Sequence, residues 1–183
     1  LTLGSVEQDP ALVTAHVDLE RLSREQQALL DSAGVGIAFI KNRVVVRCNP
    51  HFAKIFGFNH RDQVVGIRSA SLHPSREDFK ALGRTAYPSM IQGTTFKTER
   101  RLRRHNGHLF WASLTGHLIN AKSPHEGAIW IVDDIDEQRH RKALLSSAIR
   151  EKQLLFETAA VGIAYFRQGA LTRCNPHLGT MLG

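Results

Sequence analysis

The residues of this 183-residue chain best able to do chemistry are two cysteines, Cys48 and Cys174, and ten histidines. A thiol attacks or ligates only as the thiolate, which needs an electropositive, partly exposed setting. Cys48 instead follows the apolar run Val44-Val45-Val46-Arg47 and immediately precedes Asn49-Pro50, where a small packed residue is expected. His105 and His108 flank Asn106-Gly107 with no cysteine or carboxylate at ligand spacing around them, so they read as turn histidines and not as a metal site. His60-Arg61-Asp62 imitates a kinase catalytic loop. Ile67 stands where that loop needs an asparagine, however, and the chain lacks the Gly-rich loop and lysine partner. With no nucleophile–base pair or phosphate loop elsewhere, this segment is read as non-catalytic.

The background to these residues is that of a folded domain. Hydrophobic residues make up 42% of the chain and charged residues 22%, an ordinary globular composition. No apolar stretch reaches membrane-spanning length: the best, Leu154 to Phe166, is short and contains Glu157. Two cysteines cannot build a disulfide framework and point to a reducing compartment, hence the cytoplasm. The chain has neither an initiator Met nor a signal-peptide pattern, and is expected to be a piece of a longer protein.

The net charge of +7 is unevenly distributed. Residues 1–32 carry −4, residues 94–108 carry +4 and residues 137–152 carry +3. The arginines of 97–104 raise nucleic-acid binding as an alternative function, one that a steep loss of affinity with salt would reveal. An acidic leading segment and a basic trailing segment fit helix pairing better.

Comparison of the chain with itself is more informative. Val35–Gly57 aligns without gaps on Val161–Gly183 at a constant offset of 126, with ten of 23 positions identical. The period is that of a small domain and too long for a solenoid repeat. The chain is therefore expected to hold one complete unit and the start of a second.

Within the unit, Gly34–Lys41 and Val44–Val46 read as two strands joined at Asn42-Arg43. Asn49-Pro50 opens a helix, with Asn as cap and Pro at the first position, and Asn175-Pro176 repeats the signal. Ser75 caps a longer helix in which Phe79, Leu82 and Ala86 share a face, and Pro88 is expected to end or kink it. Residues 94–104 alternate as a strand, Asn106-Gly107 marks a hairpin, residues 109–120 return and Ala128–Val132 form a buried last strand. This order predicts an α+β fold: a five-stranded antiparallel sheet with helices on one face.

Amphipathic helices flank the unit. Leu12, Leu19, Leu22 and Leu29 form a stripe before it, and Leu145, Ala148 and Leu155 form one after it. The two stripes coincide at the offset of 126. Their pattern predicts coiled-coil-like linkers and a homodimer joined through them. Polar Gln26 and Lys152 lie in the seams.

In order and spacing, these features resemble the PAS sensor family. The matching segments are Asn49-Pro50-His51-Phe52, Phe56-Gly57-Phe58, His73-Pro74-Ser75-Arg76-Glu77-Asp78, Arg104–Trp111 and Trp130–Glu137. The last is similar to the Asp-Ile-Thr ending of many PAS domains, with Asp136 in the Thr position. The resemblance divides the chain into a leading helix (1–27), a PAS domain (28–136), a linker helix (137–157) and the start of a second PAS domain (158–183).

The resemblance implies a sensory and dimerisation module without catalysis of its own. Such a module relays ligand or partner state through Asp134-Ile135-Asp136 and the linker helix to an output domain outside the chain. The Leu72–Pro88 stretch suggests a diguanylate cyclase or phosphodiesterase output, hence cyclic-di-GMP signalling, with a histidine kinase as the alternative. A ligand-free interaction module is the third reading. A small-molecule pocket is expected between the long helix and the central strands, lined by His73, Phe79, Leu82, Tyr87, Phe96, Leu114 and Trp130. The resemblance makes His73 a candidate haem ligand. Flavin–cysteinyl photochemistry is not expected, because the Asn-Cys-Arg-Phe-Leu-Gln type of segment is absent.

Overall fold

Asn49 shows how local chemistry sets the fold. Its Oδ1 accepts from the backbone N–H of Phe52 at 2.9 Å, capping helix α2 (Pro50–Ile55), and also from that of Ile37 at 2.9 Å. Its Nδ2 donates to the carbonyls of Val35 and Leu30, each at 2.9 Å. One buried amide thus satisfies a helix start, strand β1 (Gly36–Lys41) and the last turn of helix α1 (Pro10–Ser32). Our computed structural model describes residues 10–183, with side chains described at Asp18 and from Arg21 onward. Leu12 and Leu19 of the leading stripe therefore lie outside the described side chains. The chain divides into two compact units, Leu1–Ile135 and Asp136–Gly183.

In the first unit β1 turns into β2 (Val44–Cys48) through Asn42 (φ 51°) and Arg43 (φ 64°), the left-handed pair of a tight hairpin whose twist matches that of the strands. After α2 and two short 3₁₀ turns comes helix α3 (Arg76–Ile91). The Ser75 hydroxyl accepts from the Asp78 N–H at 3.0 Å and donates to the Asp78 carboxylate at 2.7 Å. Strands β3 (Phe96–Arg103), β4 (Leu109–Leu118) and β5 (Ala128–Asp134) complete an antiparallel sheet of order β2-β1-β5-β4-β3.

The core lies between the inner face of this sheet and the helices. The rings of Phe52 in α2 and Phe56 at its C-cap have centroids 4.7 Å apart, and Phe56 meets Phe110 of β4 edge to face at 5.7 Å. Such aromatic pairs add about 0.5–1.5 kcal/mol each beyond area burial. Gly36 allows α2 to sit on β1, because a β-carbon there would come within 2.9 Å of the Phe52 Cα. The α+β, five-stranded antiparallel reading agrees with the structure. Of the two outcomes expected at Pro88, ending the helix is not what occurs: α3 continues three residues past it to Ile91. The N–H that Pro88 lacks would have met the carbonyl of Arg84, an exposed residue near the helix end, where water can take its place.

The second unit comprises helix α4 (Asp136–Thr158), strands β6 (Ala164–Arg167) and β7 (Ala170–Cys174) and helix α5 (Pro176–Leu182). Its hairpin repeats the pairing of β1 with β2 at the offset of 126, including the register shift after Phe39 and Tyr165. Asn175 repeats the Asn49 cap, accepting from the Ile163 and Leu178 N–H groups and donating to the Val161 carbonyl. Among the described residues no helix is long and apolar enough to cross a membrane.

Candidate functional site

A cavity of about 460 Å³ lies in the first unit between α3 and the inner face of the sheet. An engineered cavity of about 150 Å³ holds benzene, so this one has room for about 18 non-hydrogen atoms. Its inner wall is apolar and largely aromatic, with Phe52, Phe56, Leu82, Leu114, Trp130 and Val132 buried in it. The indole of Trp130 is placed by a missing side chain across the sheet. A β-carbon on Gly116 would lie 2.9 Å from the ring and 3.0 Å from the Met90 Sδ.

His73 follows the second 3₁₀ turn and stands in this wall, 6% exposed, with its ring centroid 5.2 Å from that of Phe79. Its Nδ1 is buried without a hydrogen-bond partner. Burial pushes its pKa down from 6.5 to about 4; the nearby Arg100 guanidinium acts the same way and Asp78 opposes it weakly. The imidazole is therefore neutral at pH 7 and can give or accept one hydrogen bond to a bound molecule. Around the opening stand Arg43, Lys80 and Arg84, all exposed. The Arg43 guanidinium also lies 5.6 Å from the Phe79 ring centre.

Of the expected pocket residues, His73, Phe79, Leu82, Tyr87, Leu114 and Trp130 line the cavity. Phe96 does not. It is absent from the lining, and its ring meets that of Trp130 edge to face, with centroids 6.4 Å apart. Arg43, Lys80, Arg84 and Ser69 also line it and were missed by sequence reasoning, because a cation on a helix or turn reads as solvated surface until the sheet encloses a space beside it.

Haem has more than twice the atoms this cavity can hold and does not fit it, although His73 stands in the wall. Cys48 lies outside the cavity lining, buried, with its thiol pushed up to about 11 by burial. That makes it a poor nucleophile. Among the described residues no group of three His, Cys, Asp or Glu side chains is placed to hold a metal ion.

The junction residues are held at the C-terminal end of β5. Arg104 reaches from the β3–β4 hairpin to pair with the Asp134 carboxylate, donates to the Ile55 carbonyl at the end of α2 and covers the Phe110 ring at 4.2 Å. The Ile135 N–H donates to the Trp111 carbonyl at 3.0 Å, and its side chain is buried. Asp136 opens α4, where a carboxylate favours the helix start. Arg104 and Asp134 are thirty residues apart, and no sequence periodicity joins them.

Comparison with known proteins places this architecture. The chain is 29% identical over 129 residues to the sensor protein TdiS of Thauera aromatica, covering 70% of this chain and 23% of that one. It therefore spans about a quarter of that relative. Its fold matches the PAS domain, in complex with ethanol, of a LuxR-family transcriptional regulator from Burkholderia thailandensis. The TM-score there is 0.56 with 28% identity, over 60% of this chain and 96% of that one. A PAS domain from Colwellia psychrerythraea shares the fold at TM-score 0.56 and 17% identity, over 63% and 98%. The sequence profile of the PAS domain family matches residues 32–137. That span holds the sheet, the cavity and the junction together, and the chain belongs to the PAS domain family.

Proposed function

We propose that residues 28–136 sense a small molecule in the cavity and relay its presence through Asp134-Ile135-Asp136 into α4. One observation carries this reading: β5 is at once cavity wall and way out. Trp130 and Val132 line the cavity, and two residues further along the same strand Asp134 is pinned by Arg104. A ligand that shifts the indole moves a strand whose last residue leads into the junction. A bias of a few kcal/mol between two arrangements is enough for a switch. The ethanol complex of the Burkholderia relative supports a small-molecule site in this family.

The relay helices are proposed to pair with those of a second copy. Leu22 and Leu29 of α1 are 53% and 72% exposed, and Leu145 and Leu155 of α4 are 64% and 65% exposed. These are apolar stripes of the kind a parallel helical dimer covers. Residues 158–183 are proposed as the start of a second PAS domain, supported by the repeated hairpin register and the repeated asparagine cap. The output enzyme, a diguanylate cyclase or phosphodiesterase and otherwise a histidine kinase, would lie beyond this chain. The cytoplasm is its proposed location.

Hydrogen–deuterium exchange with and without a bound small molecule tests the relay. Occupancy should change exchange at the Ile135 amide, which is bonded to the Trp111 carbonyl. A ligand that protects the cavity wall and leaves residues 134–140 unchanged would refute the relay.

A further inference from the structure

The cavity pairs an apolar interior with a mouth of one charge. No carboxylate is among its lining residues, while Arg43, Lys80 and Arg84 all are. None of these three cations makes an ion pair among the described residues. Three cations without ion-pair partners set a positive potential at the mouth, and because all three side chains are exposed that potential is screened by salt. Phe52, Leu114, Trp130 and Val132 offer the interior no charge and little hydrogen bonding. Among the described residues, the buried polar side-chain atom of the wall that has no partner is the His73 Nδ1. Asp78 and Glu77, the acids nearest on α3, are outside the lining set, and the Asp78 carboxylate is engaged by the Ser75 hydroxyl.

We infer that the cavity takes an apolar monocarboxylate of up to about 18 non-hydrogen atoms, with its hydrocarbon body inside and its carboxylate at the Arg43–Lys80–Arg84 mouth. This rests on the sensing role proposed above and names the chemical class of its ligand. A free amine is repelled by the same mouth. A neutral ligand of the same shape gains the walls but not the charge. A dianion or sugar would strand polar groups against Phe52 and Trp130, where nothing can pair them.

The test is isothermal titration of the full 183-residue chain with three molecules sharing one body: biphenyl-4-ylacetate, its primary amide and the corresponding biphenylethylamine. The acid should bind at least tenfold tighter than the amide at low ionic strength, and the amine should bind most weakly. The acid's advantage should shrink several-fold in 0.5 M salt. In the Lys80→Gln/Arg84→Gln variant, changed only at exposed positions of α3 and retaining Arg43, the acid's advantage over the amide should fall several-fold with the amide's affinity unchanged. Equal binding of acid and amide to the unmodified chain, or an acid preference undiminished by the double substitution, would overturn the inference while leaving a sensing cavity in place. If none of the three binds, the inference fails and the sensing role fails with it for apolar ligands of this size.

Discussion

Replacing His73 with Phe should flatten the acid limb of the stability curve. The side chain is 94% buried, its Nδ1 has no partner, and its pKa falls from 6.5 to about 4. Desolvation is the main cause, Arg100 adds to it, and Asp78 pulls weakly the other way. In the unfolded chain the imidazole takes a proton near pH 6.5, whereas the native state refuses it until about pH 4. The unfolded state therefore binds more protons throughout that interval. The stability linked to neutral His73 is fully present above pH 6.5 and drains away as the pH falls towards 4. With about 1.4 kcal/mol per pKa unit, the loss is about 2 kcal/mol by pH 5 and about 3 kcal/mol near pH 4. Phe cannot titrate, keeps the contact with the Phe79 ring, and extends towards a cavity with room for it. Urea denaturation at a series of pH values from 7.5 to 4.5 measures the difference. The gap between the two proteins should change by about 2.5 kcal/mol, or about 1 M in urea midpoint, in favour of the variant as pH falls to about 4.5. At pH 7.5 the variant should be at least as stable, because an unpaired buried nitrogen is gone. An NMR titration of the His73 ring in the unmodified chain should place its pKa below 5. Parallel stability curves, or a ring that titrates near 6.5, would refute the reasoning.

Other expectations follow from single contacts. Asn49→Ala removes a helix cap and strands the Ile37 N–H and the Val35 and Leu30 carbonyls, so chemical denaturation should show a loss of about 3 kcal/mol. A loss under 1 kcal/mol would mean water replaces the amide. With a thiol-reactive dye at pH 8, Cys174 should label at once and Cys48 only on denaturation, since Cys48 is buried with its pKa at about 11. Rapid labelling of both would contradict that burial. Leu22→Lys with Leu29→Lys should lower self-association in sedimentation velocity without changing the thermal midpoint, because both side chains are exposed within the chain. An unchanged dimer would place the contact elsewhere.

Much of the fold was legible because its signals are local. Asn49-Pro50 announces a capped helix, Asn106-Gly107 a tight hairpin, and residues 96–103 alternate as a strand must. The repeat at 126 was readable for the same reason, and the paired hairpins β1–β2 and β6–β7 carry the same register. Pro88 does not end α3, because a proline rule states the cost of a lost hydrogen bond but not whether water can replace it. The pocket residues on α3 were accessible from helical spacing, and those on β4 and β5 from alternation. Phe96 obeys the same alternation yet packs on Trp130 without lining the cavity, a distinction that only the packing of two rings can make.

What the sequence determined by itself was the order of elements, the inward face of each, and the caps and turns between them. These are properties of chain segments a few residues long, where backbone geometry and side-chain hydrogen bonding act on near neighbours. Tertiary structure decided the rest. It set Arg104 against Asp134 across thirty residues, left the His73 Nδ1 unpaired in a wall and gathered Arg43, Lys80 and Arg84 around one opening. Charge and desolvation act through space. Which cations share a field, and which imidazole loses its water, is therefore fixed only when the sheet closes over the helices.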